Sequence, residues 1–296
     1  MEKRRIQVPV ATIWKTKDSP RSIDKLALKG KTKSWVRMIN DKQSIQLCDD
    51  DLVNTQALFN DELIIDHFEG KWAKIFVKNQ KNCVDPKGYP GWIPKNLLSN
   101  KIEGKLINLP LVIVTTKKAF LYNKKKFPIL ELSLGTILPK NGFDDNYIKV
   151  LTPLGNGYIK KGATVLSTGK KNLGVGMVQL GLQFLGKRYL WGGISSFGFD
   201  CSGFMYTLHR VFGLNIPRDA QDQIKSGKVV SFNNVLPGDL VFFAYKHGRG
   251  FVHHVGMYIG NEKMIESRTP GASVDIASLK EDKFVSELAG FRRYWR

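Results

Sequence analysis

The chain has 296 residues, 42% of them hydrophobic, which is too long for one small core and points to two or three globular domains. The 46 lysines and arginines outnumber the 26 acidic residues by 20, with +13 in residues 1–169 and +7 in residues 170–296. No basic block exceeds three residues, so the excess favours loose association with polyanions, cell-wall polymer or nucleic acid, rather than a shaped nucleic-acid groove. Beyond the N-terminus the apolar run 109–114 is broken by Pro110 and is far too short to cross a bilayer. Met1 to Trp14 lacks the apolar centre of a secretory signal. The expectation is a chain that inserts in no membrane and acts either in the cytoplasm or, if an export signal has been removed, at the cell wall.

Residues 1–100 carry short apolar runs separated by Gly or Pro. Val8 to Trp14, Glu62 to Asp66, Trp72 to Val77 and Gly91 to Pro94 are expected strands of a small barrel. Between them Ser22 to Asn40 is lysine-rich, with Ile23, Leu26, Ala27, Trp35 and Ile39 spaced as one helical stripe or two short helices. Residues 101–168 repeat this plan. Leu111 to Thr115 echoes the first strand and Gly135 to Pro139 the second. Tyr147 to Leu151 echoes Trp72 to Phe76, and Gly157 to Lys161 echoes Gly91 to Lys95. Four matches in the same order indicate a duplicated barrel.

Residues 169–175 form a polar glycine linker, and residues 169–296 the third domain. Gly176 to Leu185 is an expected helix. Phe204, Leu208, Val211 and Phe212 form the stripe of a second one, stopped by Gly213. Pro217 to Ile224 opens a short helix, Pro237-Gly238-Asp239 a turn. Leu240 to Tyr245, Phe251 to Ile259 and Met264 to Ser267 follow as strands. Helices followed by an antiparallel sheet is an α+β order.

The chemistry concentrates at Tyr189-Leu-Trp-Gly-Gly-Ile-Ser-Ser-Phe-Gly-Phe-Asp-Cys-Ser-Gly-Phe204, where a glycine-rich loop delivers Cys201 to the first turn of a helix. Unpaired backbone N–H groups and the helix dipole favour a thiolate there. Of the other cysteines, Cys48 and Cys83 either pair, leaving Cys201 free, or all three are thiols. No Cys-x-x-Cys or histidine-rich spacing suggests a metal site, and thiol chemistry needs no cofactor.

A thiolate nucleophile needs a base and the base an orienting group. His67 lies in the barrel region, His209 is eight residues down the Cys201 helix, and His247 sits in a loop. His253 and His254 remain, on opposite faces of one strand. His254 is preferred because Gly256, on its face, leaves room for the Cys201 helix. A hairpin turn centred on Gly260 would set Glu266 directly across from His254, where a carboxylate fixes the imidazole tautomer. A later turn would move it opposite Met257 and off that face.

Phe199-Asp-Cys-Ser-Gly-Phe204, with Tyr189-Leu-Trp-Gly-Gly193 before it and Pro217-Arg-Asp219, Pro237-Gly-Asp-Leu240 and His254-Val-Gly-Met-Tyr258 after it, resembles the NlpC family of papain-like cell-wall cysteine peptidases. The resemblance covers residues 176–296. The preceding barrels resemble bacterial SH3-like domains, and the whole arrangement is similar to γ-D-glutamyl-L-diamino acid endopeptidases. It implies a papain-like α+β domain after two all-β SH3-like barrels. The substrates implied are peptidoglycan peptides with a free N-terminal L-alanine, cut after D-glutamate by a monomer. Cys201 matches the nucleophile, His254 the base and Glu266 the third polar residue, which is most often histidine in these relatives. Tyr189, Asp200 and Ser202 match positions around the substrate, Asp200 offering a carboxylate to its ammonium. Asp61 and Tyr89 match barrel positions that help hold the substrate. The remaining alternatives are a wall-binding protein without catalysis and an acyltransferase using the same thiol.

Overall fold

The computed structural model describes residues 1–100, 109–166 and 173–295. Its two compact units are discontinuous in sequence. The first comprises Met1–Asn79, Lys87–Gly169 and Ser195–Phe197; the second comprises Gln80–Pro86, Lys170–Ile194 and Gly198–Arg296. Among the described residues no helix is long and apolar enough to cross a membrane.

The first unit contains two antiparallel sheets. One is built from Lys3–Arg5, Val10–Trp14, Val53–Leu58, Glu62–Glu69, Trp72–Val77 and Tyr89–Pro94, in the spatial order first, fourth, fifth, sixth, second, third. Strand alternation explains which side chains go inside. Ala73, Ile75 and Val77 join the core with Ile13, Leu63, Ile65 and Ile93, while Trp72 and Lys74 on the other face are only partly buried and Phe76 is buried outside that core. The inserted segment folds as three helices, Lys25–Leu28, Thr32–Met38 and Asp41–Asp49. Trp35 anchors it: the indole lies 6.1 Å from the Trp14 ring and its Nε1–H donates to the buried Asp24 carboxylate at 2.8 Å. The third of these helices was not expected, because its sequence, DKQSIQLCD, has too few apolar residues to mark a stripe. Asn40 starts it through a capping box with Gln43.

The second sheet uses Leu111–Val114, Ala119–Tyr122, Pro128–Leu132, Ile137–Phe143, Tyr147–Thr152, Gly155–Lys160 and Thr164–Leu166. The duplication is visible in the strand pairings. Trp72 faces Pro94 in one barrel and Tyr147 faces Lys160 in the other. Trp14 faces Trp92, and Tyr122 faces Tyr158. These pairings correct one correspondence: Val10–Trp14 is matched by Ala119–Tyr122, whereas Leu111–Val114 takes the place of Lys3–Arg5. Apolar content misled here, since LVIV looks more like VATIW than like KRR, although LVIV and KRR each pair with the corresponding strand of their sheet, Ile137–Phe143 and Glu62–Glu69.

The second unit has a six-stranded antiparallel sheet in the order Lys228–Val230, Leu288–Arg293, Leu240–Ala244, Val252–Gly260, Lys263–Ser267, Val274–Ser278. All five residues of Leu240–Ala244 are buried, as suits a central strand covered on both faces. Helices Leu173–Leu182 and Cys201–Val211 pack together on the sheet. Gly181 lies where an added Cβ would meet Leu208 at 3.3 Å and Ile265 and Phe204 at 3.6 Å. The rings of Phe184, Phe199 and Phe204 meet at 5.0–6.3 Å between centroids and tie the loop before Cys201 to both helices. The expected linker 169–175 lies outside the described residues up to 172, and its last three residues are already helical.

Candidate active site

The Cys201 helix begins where the sequence places it. Asp200 is the N-cap, and its Oδ1 accepts from the backbone N–H of Gly203 at 2.6 Å. The loop is threaded tightly against this turn. Asp200 N–H donates to the Gly193 carbonyl at 3.2 Å, and a Cβ on Gly203 would lie 2.1 Å from that same oxygen. Only glycine fits there. Leu190 N–H donates to the Phe199 carbonyl at 3.0 Å, and Ser267 Oγ donates to the same carbonyl at 2.8 Å. These bonds fix the loop to the strand that carries Glu266.

The Cys201 thiol shares a hydrogen bond with the His254 imidazole. His254 Nε2–H donates to Oε2 of Glu266, which leaves Nδ1 for the thiol. The ring is stacked on Phe243 at 5.9 Å and Phe284 at 6.5 Å, which holds its plane. Glu266 is fully buried, with Arg268 Nε 3.8 Å from its other oxygen. Burial works against a charged His254 ring, but the bonds to Cys201 and then Glu266 outweigh it and push the imidazole up to about 9. At neutral pH the ring is therefore an imidazolium, held between Cys201 and Glu266.

Glu266 arrives by a register other than the one expected. Asn261 and Glu262 both take left-handed conformations (φ 52° and 53°), so they form the two-residue turn and Gly260 pairs with Lys263. Tyr258 then faces Met264, and the same register sets Glu266 across from Gly256. The carboxylate reaches His254 diagonally on the shared face. Gly256 also has another job than expected: the space of its missing side chain is filled by Met264, whose Sδ lies 2.6 Å from the ideal Cβ position.

Asp200 has several partners besides Gly203. Both its oxygens accept from the guanidinium of Arg218, Oδ1 from Nη1 at 3.1 Å and Oδ2 from Nη2 at 2.5 Å, and Oδ1 also accepts from Ser202 Oγ at 3.2 Å. Asp200 is thus a buried carboxylate that caps the helix and is held by a guanidinium in a two-point fork. Ser202 is buried in the same network, accepting from Arg218 Nη1 at 3.0 Å. Tyr189 is buried, its N–H donating to the Ala272 carbonyl and its backbone bridging Phe199. Asp61 and Tyr89 belong to the first unit. There Asp61 closes the Leu58–Asp61 turn by accepting from Leu58 N–H at 2.9 Å, and Tyr89 packs half-buried against the first barrel's core.

Three of the other histidines have local partners. His209 is fully buried, bonded through Nδ1 to the Met205 carbonyl at 2.8 Å, and burial lowers it to about 4. His253 stacks on Tyr245 at 4.2 Å and faces Glu287 at 3.2 Å. His67 is exposed beside Asp66. All three cysteines are free thiols. Arg218 is the site residue missed by sequence reasoning. It stands within Pro217-Arg-Asp219, where no local feature marks its partner.

A thiol at a helix start, an imidazolium and a buried carboxylate in line, on helices packed against an antiparallel sheet, define a papain-like cysteine peptidase. Comparison with known proteins agrees. Residues 186–293 match the NlpC/P60 family and residues 114–165 the YKFC SH3b2 domain. The chain is similar to the gamma-D-glutamyl-L-lysine dipeptidyl-peptidase of Bacillus subtilis, at 39% identity over 96% of each chain. It is also similar to that of Bacillus cereus, at 36% identity over 98% of this chain and 90% of that one. The crystal structure of an NlpC/P60 family protein from Bacillus cereus superposes with a TM-score of 0.88 at 34% identity, covering 99% of both chains. The chain belongs to the NlpC/P60 family.

Proposed function

We propose that this peptidase hydrolyses the bond between γ-D-glutamate and a diamino acid in peptidoglycan-derived peptides with a free N-terminal L-alanine, releasing the dipeptide L-Ala-D-Glu. The bond and substrate class are supported by the two relatives named for γ-D-glutamyl-L-lysine. The chemistry rests on one observation, the line from the half-buried Cys201 at a helix start through the buried His254 to the buried Glu266.

The Cys201 thiolate attacks the glutamyl γ-carbonyl carbon. The developing oxyanion forms beside the backbone N–H of Cys201, which the helix leaves without an intrahelical acceptor. The His254 imidazolium gives its Nδ1 proton to the departing amine, leaving a thioester on Cys201 and a neutral ring. That ring then takes a proton from water as the hydroxide adds to the thioester carbon; the C–S bond breaks, Cys201 leaves as thiolate beside the recharged imidazolium, and the dipeptide's new carboxylic acid loses its proton to solvent. Glu266 keeps the Nε2 proton in place throughout and stabilises the ring whenever it is charged. All three groups come from one chain, which supports a working monomer.

The test is incubation of L-Ala-γ-D-Glu-L-Lys with the protein and mass spectrometry of the products. The wild type is expected to release lysine and the dipeptide, and Cys201→Ala to release neither while keeping its circular dichroism spectrum. Turnover by purified Cys201→Ala would overturn the nucleophile assignment. An N-acetylated peptide cleaved as fast as the free one would overturn the requirement for a free amine.

A further inference from the structure

A negative charge sits where the proposed chemistry least tolerates one. Asp200 immediately precedes Cys201, and its carboxylate is locked into the first helical turn by its bond to Gly203 N–H. A carboxylate beside a thiolate disfavours the thiolate. The structure answers with Arg218. Its side chain is 1% exposed, and it grips Asp200 with a two-point fork, Nη1 to Oδ1 and Nη2 to Oδ2. Nη1 also reaches Ser202 Oγ at 3.0 Å, so one guanidinium touches both residues that flank the nucleophile.

The loop that carries Arg218 is fixed at several points. Arg218 N–H donates to the Lys81 carbonyl at 2.9 Å. Gln223 Nε2 donates to the Pro217 carbonyl at 2.9 Å and to the Ser202 carbonyl at 3.2 Å, tying the loop to the Cys201 helix. The charged groups around the nucleophile are then His254 and Glu266 from the sheet, Asp200 on the helix, and Arg218 with Asp219, 3.7 Å away, on the loop. Without Arg218 the charge of Asp200 would face the thiolate uncompensated.

We propose that Arg218 is a positioning residue of this peptidase, which cancels the charge of Asp200 and fixes the helix cap so that the thiolate forms beside a neutral pair. The proposal rests on the reading of Cys201 as nucleophile. A lysine cannot replace the arginine, because a single ammonium lacks the planar fork that engages both carboxylate oxygens and the serine together.

The experiment measures iodoacetamide labelling of Cys201 from pH 5 to 9, following the Cys201 peptide by mass spectrometry so that Cys48 and Cys83 do not interfere. In Arg218→Met the acid limb of the labelling profile is expected to move up by about one pH unit, with labelling at pH 7 slowed about tenfold. Asp200→Asn in the same chain removes the unpaired charge and keeps a capping side chain. The double variant is expected to return to within about threefold of the wild type. A folded double variant as slow as Arg218→Met, or an Arg218→Met profile that does not move, overturns the proposal, since a purely structural role gives no rescue by charge removal. If Arg218→Met does not fold, Asp200→Asn alone decides. The uncompensated arginine then moves the acid limb down, and an unmoved limb overturns the proposal. Labelling needs no substrate, so its outcome is independent of whether the γ-glutamyl peptide is cleaved.

Discussion

Glu266→Gln separates the electrostatic role of the third site residue from its role in packing. The amide fills nearly the same volume but carries no charge, and its NH2 can donate to Nε2. That donation drives the ring proton to Nδ1, the wrong tautomer for taking up a proton at the thiol side. In the wild type the His254 ring is raised from 6.5 to about 9, equivalent to about 3 kcal/mol in favour of the imidazolium. Cys201 supplies the larger favourable part and Glu266 the next. Removing Glu266 should lower the ring's titration midpoint by roughly one pH unit, about 1.4 kcal/mol. The sign follows from a folded-state value above the unfolded one. The ring's stabilising contribution is complete below pH 6.5 and is lost as the pH rises through about 9. The stability penalty of Glu266→Gln, measured by urea unfolding, is therefore expected to be about 1.4 kcal/mol larger at pH 6 than at pH 10. NMR titration of the His254 ring gives the midpoint directly, and kcat/KM is expected to fall by about 10²–10⁴-fold. An equal penalty at both pH values, with an unmoved midpoint, would refute the assignment of Glu266 as the ring's electrostatic partner.

Gly203→Ala would set a methyl group 2.1 Å from the Gly193 carbonyl oxygen. Neither backbone can yield without moving the helix start, so stability is expected to drop by about 2–3 kcal/mol in urea unfolding, with slower labelling of Cys201. His209 behaves oppositely to His254. Burial lowers it from 6.5 to about 4, so its contribution is present above pH 6.5 and is lost as the pH falls toward 4. His209→Gln, which can still bond the Met205 carbonyl, is expected to flatten the decline of unfolding free energy between pH 6.5 and 4, and an equally steep decline in the variant would contradict it.

The parts of this protein that were legible in the sequence are those whose causes are local. Cys201 could be placed at a helix start because the glycines, the capping Asp200 and the Phe204 stripe lie within a dozen residues of one another. The strand Trp72–Val77 was legible because its alternation is set by its own side chains. What escaped depends on partners far along the chain. Lys228–Val230 and Leu288–Arg293 are mixed in polarity and are strands because they pair with each other and with Leu240–Ala244. Arg218 escaped because nothing in its neighbourhood announces Asp200, 18 residues earlier, as its partner.

The hairpin that carries His254 and Glu266 shows which errors such a reading survives. Glutamate is uncommon at positive φ, so Glu262 gave no sign that it would share the turn with Asn261. The strand register consequently lies two positions from the expected one. Side chains alternate with a period of two, so an even displacement leaves Glu266 on the His254 face, whereas an odd one would have turned it to the other side. The price is distance: a diagonal neighbour is farther away than a direct one, by roughly 2–3 Å between backbones. Glutamate has one methylene more than aspartate with which to span that gap. The structure uses that reach, with the carboxylate bonded to Nε2 while Met264, two residues earlier on the same face, fills the space beside Gly256. The longer acid at this position and the late turn are thus two parts of one arrangement.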